Sequence, residues 1–294
     1  MVERDGIKTY RVLSLGAGVQ STALALMIEQ GELAPVDVAI FADTGWEPTA
    51  VYKHLEWLRS EVKSFPIEVL KTTSLRDDTI RRKEKSDKSK NKFRRAASLP
   101  FYTRNPQTGS RGILRRQCTE SYKITPIERY IRSEMMGLSK GQRFPKNVVI
   151  KTLIGISSDE ASRMKPSKNH WQEMIYPLCD TPVGSGRVTS RQDCLSWLKA
   201  NYPNINPVKS ACIGCPYHSD NEWRDMKLNR PDEFADAVDF DKRIRQIPGV
   251  NDQAYLHRSG RPLDEVDLES LEDKGQMTFF DEQGNICDGG TCFL

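Results

Sequence analysis

The stretch from Val12 to Met27, VLSLGAGVQSTALALM, constrains the fold of this chain more than any other. Apolar residues around Ser14 read as a short buried strand, and Gly16, Ala17 and Gly18 follow as a small-residue turn. Ser21 and Thr22 then open a helix that runs through Leu24, Leu26 and Met27. A strand, a glycine turn and a hydroxyl-capped helix gather backbone N–H groups and the positive end of a helix dipole in one concavity. Such a concavity is an anion site; a tight strand-to-helix turn without a ligand is the plainer alternative. Spacing excludes two other phosphate loops. No lysine lies near Ser21, as a Gly-Lys-Ser/Thr ending requires, and Ser21 stands where the dinucleotide fingerprint needs its third glycine.

A second apolar run, Val36 to Phe41, reads as a buried parallel strand and ends in Ala42, Asp43, Thr44, Gly45 and Trp46. Pro48 to Phe65 carries Val51, Leu55, Leu58 and Val62 at helical spacing, and Ile67 to Leu70 is a third strand. Strand, helix, strand, helix, strand calls for a doubly wound α/β fold with a mainly parallel sheet and right-handed crossovers. Ligands of such sheets bind beyond the carboxyl ends of the strands, which would bring Asp43 beside the Gly16 to Ser21 loop. Further strands are expected at Asn147 to Ile156 and Trp171 to Leu178. Helices are expected around Ile124, Ile127 and Ile131, at Asp193 to Leu198, and at Pro231 to Arg245. With 294 residues the chain divides into a nucleotide-binding α/β part, 1–205, and a smaller cysteine-containing helical part, 206–294.

Charge is unevenly spread. The net charge is only +4, yet Arg81 to Arg95 packs nine basic residues against Glu84 and Asp87. A segment so poor in apolar side chains cannot offset its ordering entropy, so 72–114 reads as a mobile basic insertion. It is either a solvated loop or a strip for a polyanion, nucleic acid included, with Phe93, Phe101 and Tyr102 near enough to stack bases. A mean hydropathy of −0.60 without a long apolar run excludes a transmembrane helix, and MVERDGIKTYRV lacks a signal-peptide core, so a cytoplasmic location is expected. The sequence leaves the oligomeric state open, a homodimer included.

The seven cysteines are an odd number with one Cys-x-x-Cys, Cys212 and Cys215, which in a reducing compartment points to a metal or redox site. Two thiolates at that spacing chelate one metal, because the turn through Gly214 aims both sulfurs the same way. Pro216 stops the turn and Asp220 offers a helix cap. Cys179 and Cys194, among apolar neighbours, read as buried free thiols. Glu160 and Arg163 sit three residues apart after a strand, where they either pair or face a ligand. His257 and Arg258 fit a surface turn better than a phosphate contact. Cys287 and Cys292, flanked by glycine on a terminal tail, are expected to be mobile.

GAGVQST followed by FADTGWEP resembles the PP-loop superfamily of adenine-nucleotide enzymes, in particular the phosphoadenylyl-sulfate (PAPS) reductase family. It is also similar to phage- and CRISPR-associated relatives of that family and to DNA phosphorothioation sulfurtransferases. The resemblance spans Leu13 to Cys215 in five ordered blocks. It implies nucleotide contacts from Ser14, Gly16, Ala17, Gly18, Gln20, Ser21, Thr22, Asp43, Thr44 and Gly45. In RRQCTESYKITP, Arg116, Cys118, Lys123 and Pro126 match the family's Cys and Lys-x-x-Pro element, which implies phosphate or sulfate contacts from Arg116 and Lys123, with Arg163 as a third. The chain departs from SGGxDS at Gly16, Ala17 and Gln20; the missing Asp speaks against magnesium-assisted ATP cleavage, though magnesium stays an option. Relatives place an iron–sulfur cluster on cysteines matching Cys118, Cys212 and Cys215, here without the second cysteine of the pair, since Thr119 stands there. A [4Fe-4S] cluster, structural zinc on Cys118, Cys212, Cys215 and His218, and no metal all remain open.

Two reactions follow as expectations. In the first, ATP is cleaved to AMP and pyrophosphate to adenylate an acceptor for sulfur transfer, with Ser14 and Gln20 at the reacting phosphate. In the second, a tail thiolate, Cys292 or Cys287, attacks the sulfur of PAPS. A nucleotide-binding accessory protein of a phage or CRISPR system is a third reading, from outside catalysis.

Overall fold

The computed structural model describes residues 6–71, 73–84, 93–95, 99–180, 188–206, 209–246 and 252–269. Its centre is a sheet of five parallel strands: β1 (Lys8–Leu15), β2 (Val38–Asp43), β3 (Ile67–Lys71), β8 (Val148–Ile154) and β9 (Gln172–Ile175). They stand in the order β3-β2-β1-β8-β9, so the chain winds outward from β1 to one edge and then crosses to the other. The fold is doubly wound, and the order changes direction at β1. In open sheets of this kind ligands bind beyond the carboxyl ends of the strands where the order reverses, which puts the crevice at the ends of β1 and its neighbours.

The period-two pattern of the strands makes this sheet two-sided. Leu13 and Leu15, with Ala39, Phe41 and Leu153, join the core beneath α1 (Val19–Glu29), α2 (Thr49–Glu61) and α5 (Arg191–Asn201). Val12, Val38, Ile40, Val148 and Ile150 join the opposite core, against Ile127 and Ile131. Those two isoleucines lie on a helical run in which α4 (Thr125–Tyr130) is flanked by π-helical turns, Glu120–Ile124 and Ile131–Met135. Pro126 explains the upstream widening: it lacks the N–H that an α-turn would use, and its ring crowds the preceding turn.

α1 begins two residues earlier than expected. Gly18 is its N-cap, so the helix is not hydroxyl-capped. The Ser21 hydroxyl instead accepts the Gly16 N–H at 3.2 Å, and Thr22 turns into the core, its Oγ1 2.9 Å from His54 Nε2. His54 stacks on Trp57, and its burial lowers the imidazole pKa below the ordinary 6.5. The native ring is held neutral, whereas the unfolded chain takes up a proton near pH 6.5. Stability tied to this group is therefore present above pH 6.5 and is lost as pH falls through the lowered native value. We expect the thermal midpoint to fall between pH 7.5 and 5.5, and His54→Gln to flatten that dependence. A slope unchanged in the variant would reject the assignment.

The segment expected to be a mobile insertion is structured over most of its described length. It holds α3 (Leu75–Ile80), the antiparallel pair β4 (Arg82–Glu84) and β5 (Phe93–Arg95), and β6 (Tyr102–Arg104) with β7 (Arg111–Ile113). β6 also pairs with β10 (Gln253–Tyr255), far along the chain. Leu75, Leu99 and Phe101 are buried in a second core with Trp46, Tyr122, Trp223, Phe240 and Leu256, which crosses the division expected at residue 205. Each large side chain fully buried there contributes about 1.5–3 kcal/mol, enough to order a segment whose own composition could not. Residues 85–92 of the basic strip lie outside the described residues.

The remaining helices are α6 (Asp220–Asn229) and α7 (Pro231–Arg243). Ser219 caps α6 in a capping box with Glu222, so the cap is not Asp220. Asp220 instead binds His257 Nε2 at 2.9 Å and Arg258 at 2.8 Å, which places both basic residues on a structural carboxylate. Asp241 of α7, fully buried, accepts the N–H groups of Leu256 and Leu263 and pairs with Arg245, tying the final described segment to the second core. Among the described residues no helix is long and apolar enough to cross a membrane.

Candidate functional site

At the carboxyl ends of β1 and β8 a cleft opens over the first turn of α1. Ser14, Gly16, Gly18, Gln20 and Ser21 line one side of it, and Ile154, Gly155, Glu160 and Arg163 the other. Arg191, Lys209 and Ser210 close its rim. The turn that shapes it runs through Ala17, whose φ of +55° is the only positive value at a non-glycine among the described residues. A left-handed alanine costs on the order of 1 kcal/mol, and here it is buried where the backbone must reverse. The first intrahelical bond runs from the Thr22 N–H to the Gly18 carbonyl. The amides of Val19, Gln20 and Ser21 precede it and have no carbonyl within the helix to bond, so they lie at the positive end of the dipole.

Two glycines let neighbouring segments close on this turn. A Cβ on Gly155 would lie 2.9 Å from the Ser21 nitrogen, and one on Gly18 would lie 3.0 Å from Ser210 Oγ. The end of β8 and the segment before the cysteine turn therefore both press against the head of α1.

Charge in the cleft is arranged in held pairs. Arg163 sits 2.7 Å from Glu160 Oε1, and the Gln20 amide donates to Glu160 Oε2 at 3.2 Å and to Ser157 at 3.3 Å. Burial pushes the Glu160 carboxyl up, against the pull of Arg163. Glu222 Oε1 stands 2.7 Å from Lys209 Nζ, while its Oε2 accepts the Ser219 N–H at 2.8 Å. Burial raises the Glu222 pKa, but hydrogen bonds and charge from His218 and Lys209 outweigh it and hold the group well below the usual carboxylate range. One side chain thus caps α6 and fixes a cation at the cleft rim. Glu222→Gln preserves the capping geometry and removes the charge. We expect it to weaken binding of a nucleotide by about fivefold, on the order of 1 kcal/mol, measured by calorimetry. Equal affinity in the variant would show that Lys209 is positioned by something else.

The residues expected at the site fall into three groups. Ser14, Gly16, Gly18, Gln20, Ser21 and Arg163 line the cleft, and Ala17 supports it from beneath. Thr22, Asp43, Thr44, Gly45 and Lys123 are not among the residues that line it. Asp43 Oδ1 accepts the Gly45 N–H and the Tyr52 hydroxyl, each at 2.8 Å, and burial together with that carboxylate pushes the Tyr52 phenol pKa up. Thr44 donates to the buried Glu47 at 3.0 Å, and Lys123 lies 3.8 Å from the same carboxylate. Arg116 lines a separate groove, its guanidinium 5.8 Å from the Tyr217 ring centre. Cys287 and Cys292 lie outside the described residues. Arg191, Lys209, Ser210 and Gly155 were missed. They come from distant segments with no local motif, although Lys209 and Ser210 lie one residue ahead of the Cys-x-x-Cys.

The cysteine turn packs against the loop after β2. Cys212 and Cys215 are buried; Cys212 Sγ lies 3.4 Å from Thr44 Oγ1 and 3.5 Å from Glu47 Oε1. Cys118 borders the same apolar core as Cys212, and His218 Nε2 is 3.0 Å from the Cys212 carbonyl oxygen. Among the described residues no three His, Cys, Asp or Glu side chains stand where they could hold one metal ion. Of the other thiols, Cys194 is fully buried and pushed by burial up to about 12, while Cys179 donates to the Ile156 carbonyl. Compared with protein-family models, with curated proteins and with solved structures, the chain gives no match.

Proposed function

We propose that this protein binds an adenine nucleotide by its phosphates in the cleft at the head of α1 and transfers the adenylyl group to an acceptor ahead of sulfur transfer. One observation carries the reading: the first turn of α1, the positive end of its dipole, lines the same cleft as Arg163, Arg191 and Lys209. Preorganised amides and cations stabilise negative charge as it develops, and do so best in a site already built for it. In the reaction an acceptor oxygen attacks the α-phosphorus of ATP, the bond to the bridging oxygen of the β-phosphate breaks, and pyrophosphate leaves. Magnesium carried in with ATP would supply further charge neutralisation. Arg163, Arg191 and Lys209 would hold the departing pyrophosphate, and Gln20, anchored to Glu160 and Ser157, would keep the loop in place.

A second reading is favoured by Gln20 itself. Its amide donates to Glu160, so the loop presents no carboxylate at the position where the resemblance expects Asp. That suits a sulfonucleotide, whose sulfur would be attacked by a thiolate of Cys287 or Cys292. As the S–S bond formed, the bond from sulfur to the 5′-phosphate oxygen would break and adenosine 3′,5′-bisphosphate would leave; an external dithiol would then release the S-sulfocysteine's sulfur as sulfite, regenerating the thiol and being oxidised to the disulfide. Incubation with ATP, scored for AMP and pyrophosphate, and with PAPS, scored for sulfite, separates the two. Turnover of ATP supports the adenylating reading; sulfite release without ATP turnover overturns it.

A further inference from the structure

A second cavity adjoins the phosphate cleft, and the two share Ile154, the last residue of β8. It is the roomier of the two. Its apolar lining comes from Ile124, Ile154 and Met174, and four cations, Arg115, Arg116, Lys165 and Lys168, line it as well. Two carboxylates oppose them. Glu120 lies 3.8 Å from Lys168, both exposed to solvent, where such a pair is screened. Glu128 accepts a hydrogen bond from Asn169 at 2.6 Å, which engages one of its oxygens. The balance is cationic.

The groove is also rigid where it meets the cations. The Tyr176 hydroxyl accepts the Lys165 N–H at 3.0 Å and donates to the Lys165 carbonyl at 2.7 Å, clamping that residue's backbone beside the ring. Cations over an apolar floor match a ligand with an oxyanion at one end and a flat apolar body at the other. The planar fork of an arginine can pair with two oxygens of a phosphate at once.

We infer that this groove is the acceptor site and takes a phosphate ester carrying an apolar ring, the chemistry of a nucleotide unit, free or within a single strand. The inference rests on the adenylate reading of the neighbouring cleft.

The test uses the full chain, with ATP, thymidine monophosphate and a fluorescent oligothymidylate of about eight nucleotides as probes. A double variant, Arg115→Ala with Lys165→Ala, removes two groove cations that do not line the cleft. Expected are oligonucleotide or monophosphate binding that weakens at least tenfold in the double variant, with the ATP affinity and thermal midpoint unchanged. Oligonucleotide binding much tighter than that of the monophosphate identifies a strand as the source; equal binding identifies the free nucleotide. Binding of neither probe while ATP still binds overturns the inference and leaves the cleft reading intact. Probe binding that the double variant leaves unchanged overturns it too, since the ligand then sits elsewhere. Absence of ATP binding overturns the cleft reading, and the acceptor role with it.

Discussion

Gly214→Ala is expected to lower the thermal midpoint by about 5–10 °C, a loss on the order of 3 kcal/mol. An added Cβ at Gly214 would lie 2.0 Å from Cη2 of Trp46 and 2.7 Å from two further ring atoms. The indole has nowhere to go. Its Nε1 donates to Asp236 at 2.6 Å, its ring lies 4.5 Å from Phe240, and the Trp46 carbonyl accepts the Ile213 N–H at 3.0 Å. The methyl must therefore part the loop after β2 from the cysteine turn, and with it Thr44 from Cys212. Circular dichroism melts of the single and double variants check this: Trp46→Leu opens space, so the double variant should lose less than the sum of the two single losses. A midpoint within about 1 °C of the parent would mean that the contact gives way freely, against the argument.

Gly155→Ala is expected to weaken ATP binding by about 10–100-fold, or roughly 1.4–2.8 kcal/mol, with a stability loss of about 1–2 kcal/mol. The three atoms nearest the new methyl are all backbone: the Ser21 nitrogen at 2.9 Å, and the Gln20 carbonyl carbon and Ser21 Cα at 3.2 Å. No rotamer change relieves such a contact. Either β8 or the head of α1 moves, and the turn that lines the cleft is disturbed. Calorimetry with ATP measures the effect beside a melt of the same variant. A lower midpoint with an unchanged dissociation constant would put the nucleotide somewhere other than this cleft.

The amino-acid sequence by itself determined the doubly wound sheet and the turn at its centre. Alternating buried residues such as Leu13 and Val12, runs such as Val38 to Ala42, and helical spacing at Val51, Leu55 and Leu58 are local signals, and the core they specify is the one observed. Part of the cleft was legible in the same way, because Gly16 to Ser21 is one contiguous motif. Long-range packing decided the rest. Arg191, Lys209 and Gly155 reach the cleft from three separate segments, and Thr22, inside the motif, turns to His54 because its place on α1 faces the core. Residues 75–113 lack the apolar density to order themselves, yet Phe101 is fully buried and β6 pairs with β10, about 150 residues away. Periodicity within a segment reports which face a residue takes; burial supplied by a distant strand, and the neighbours it brings, exist only once the chain has closed on itself.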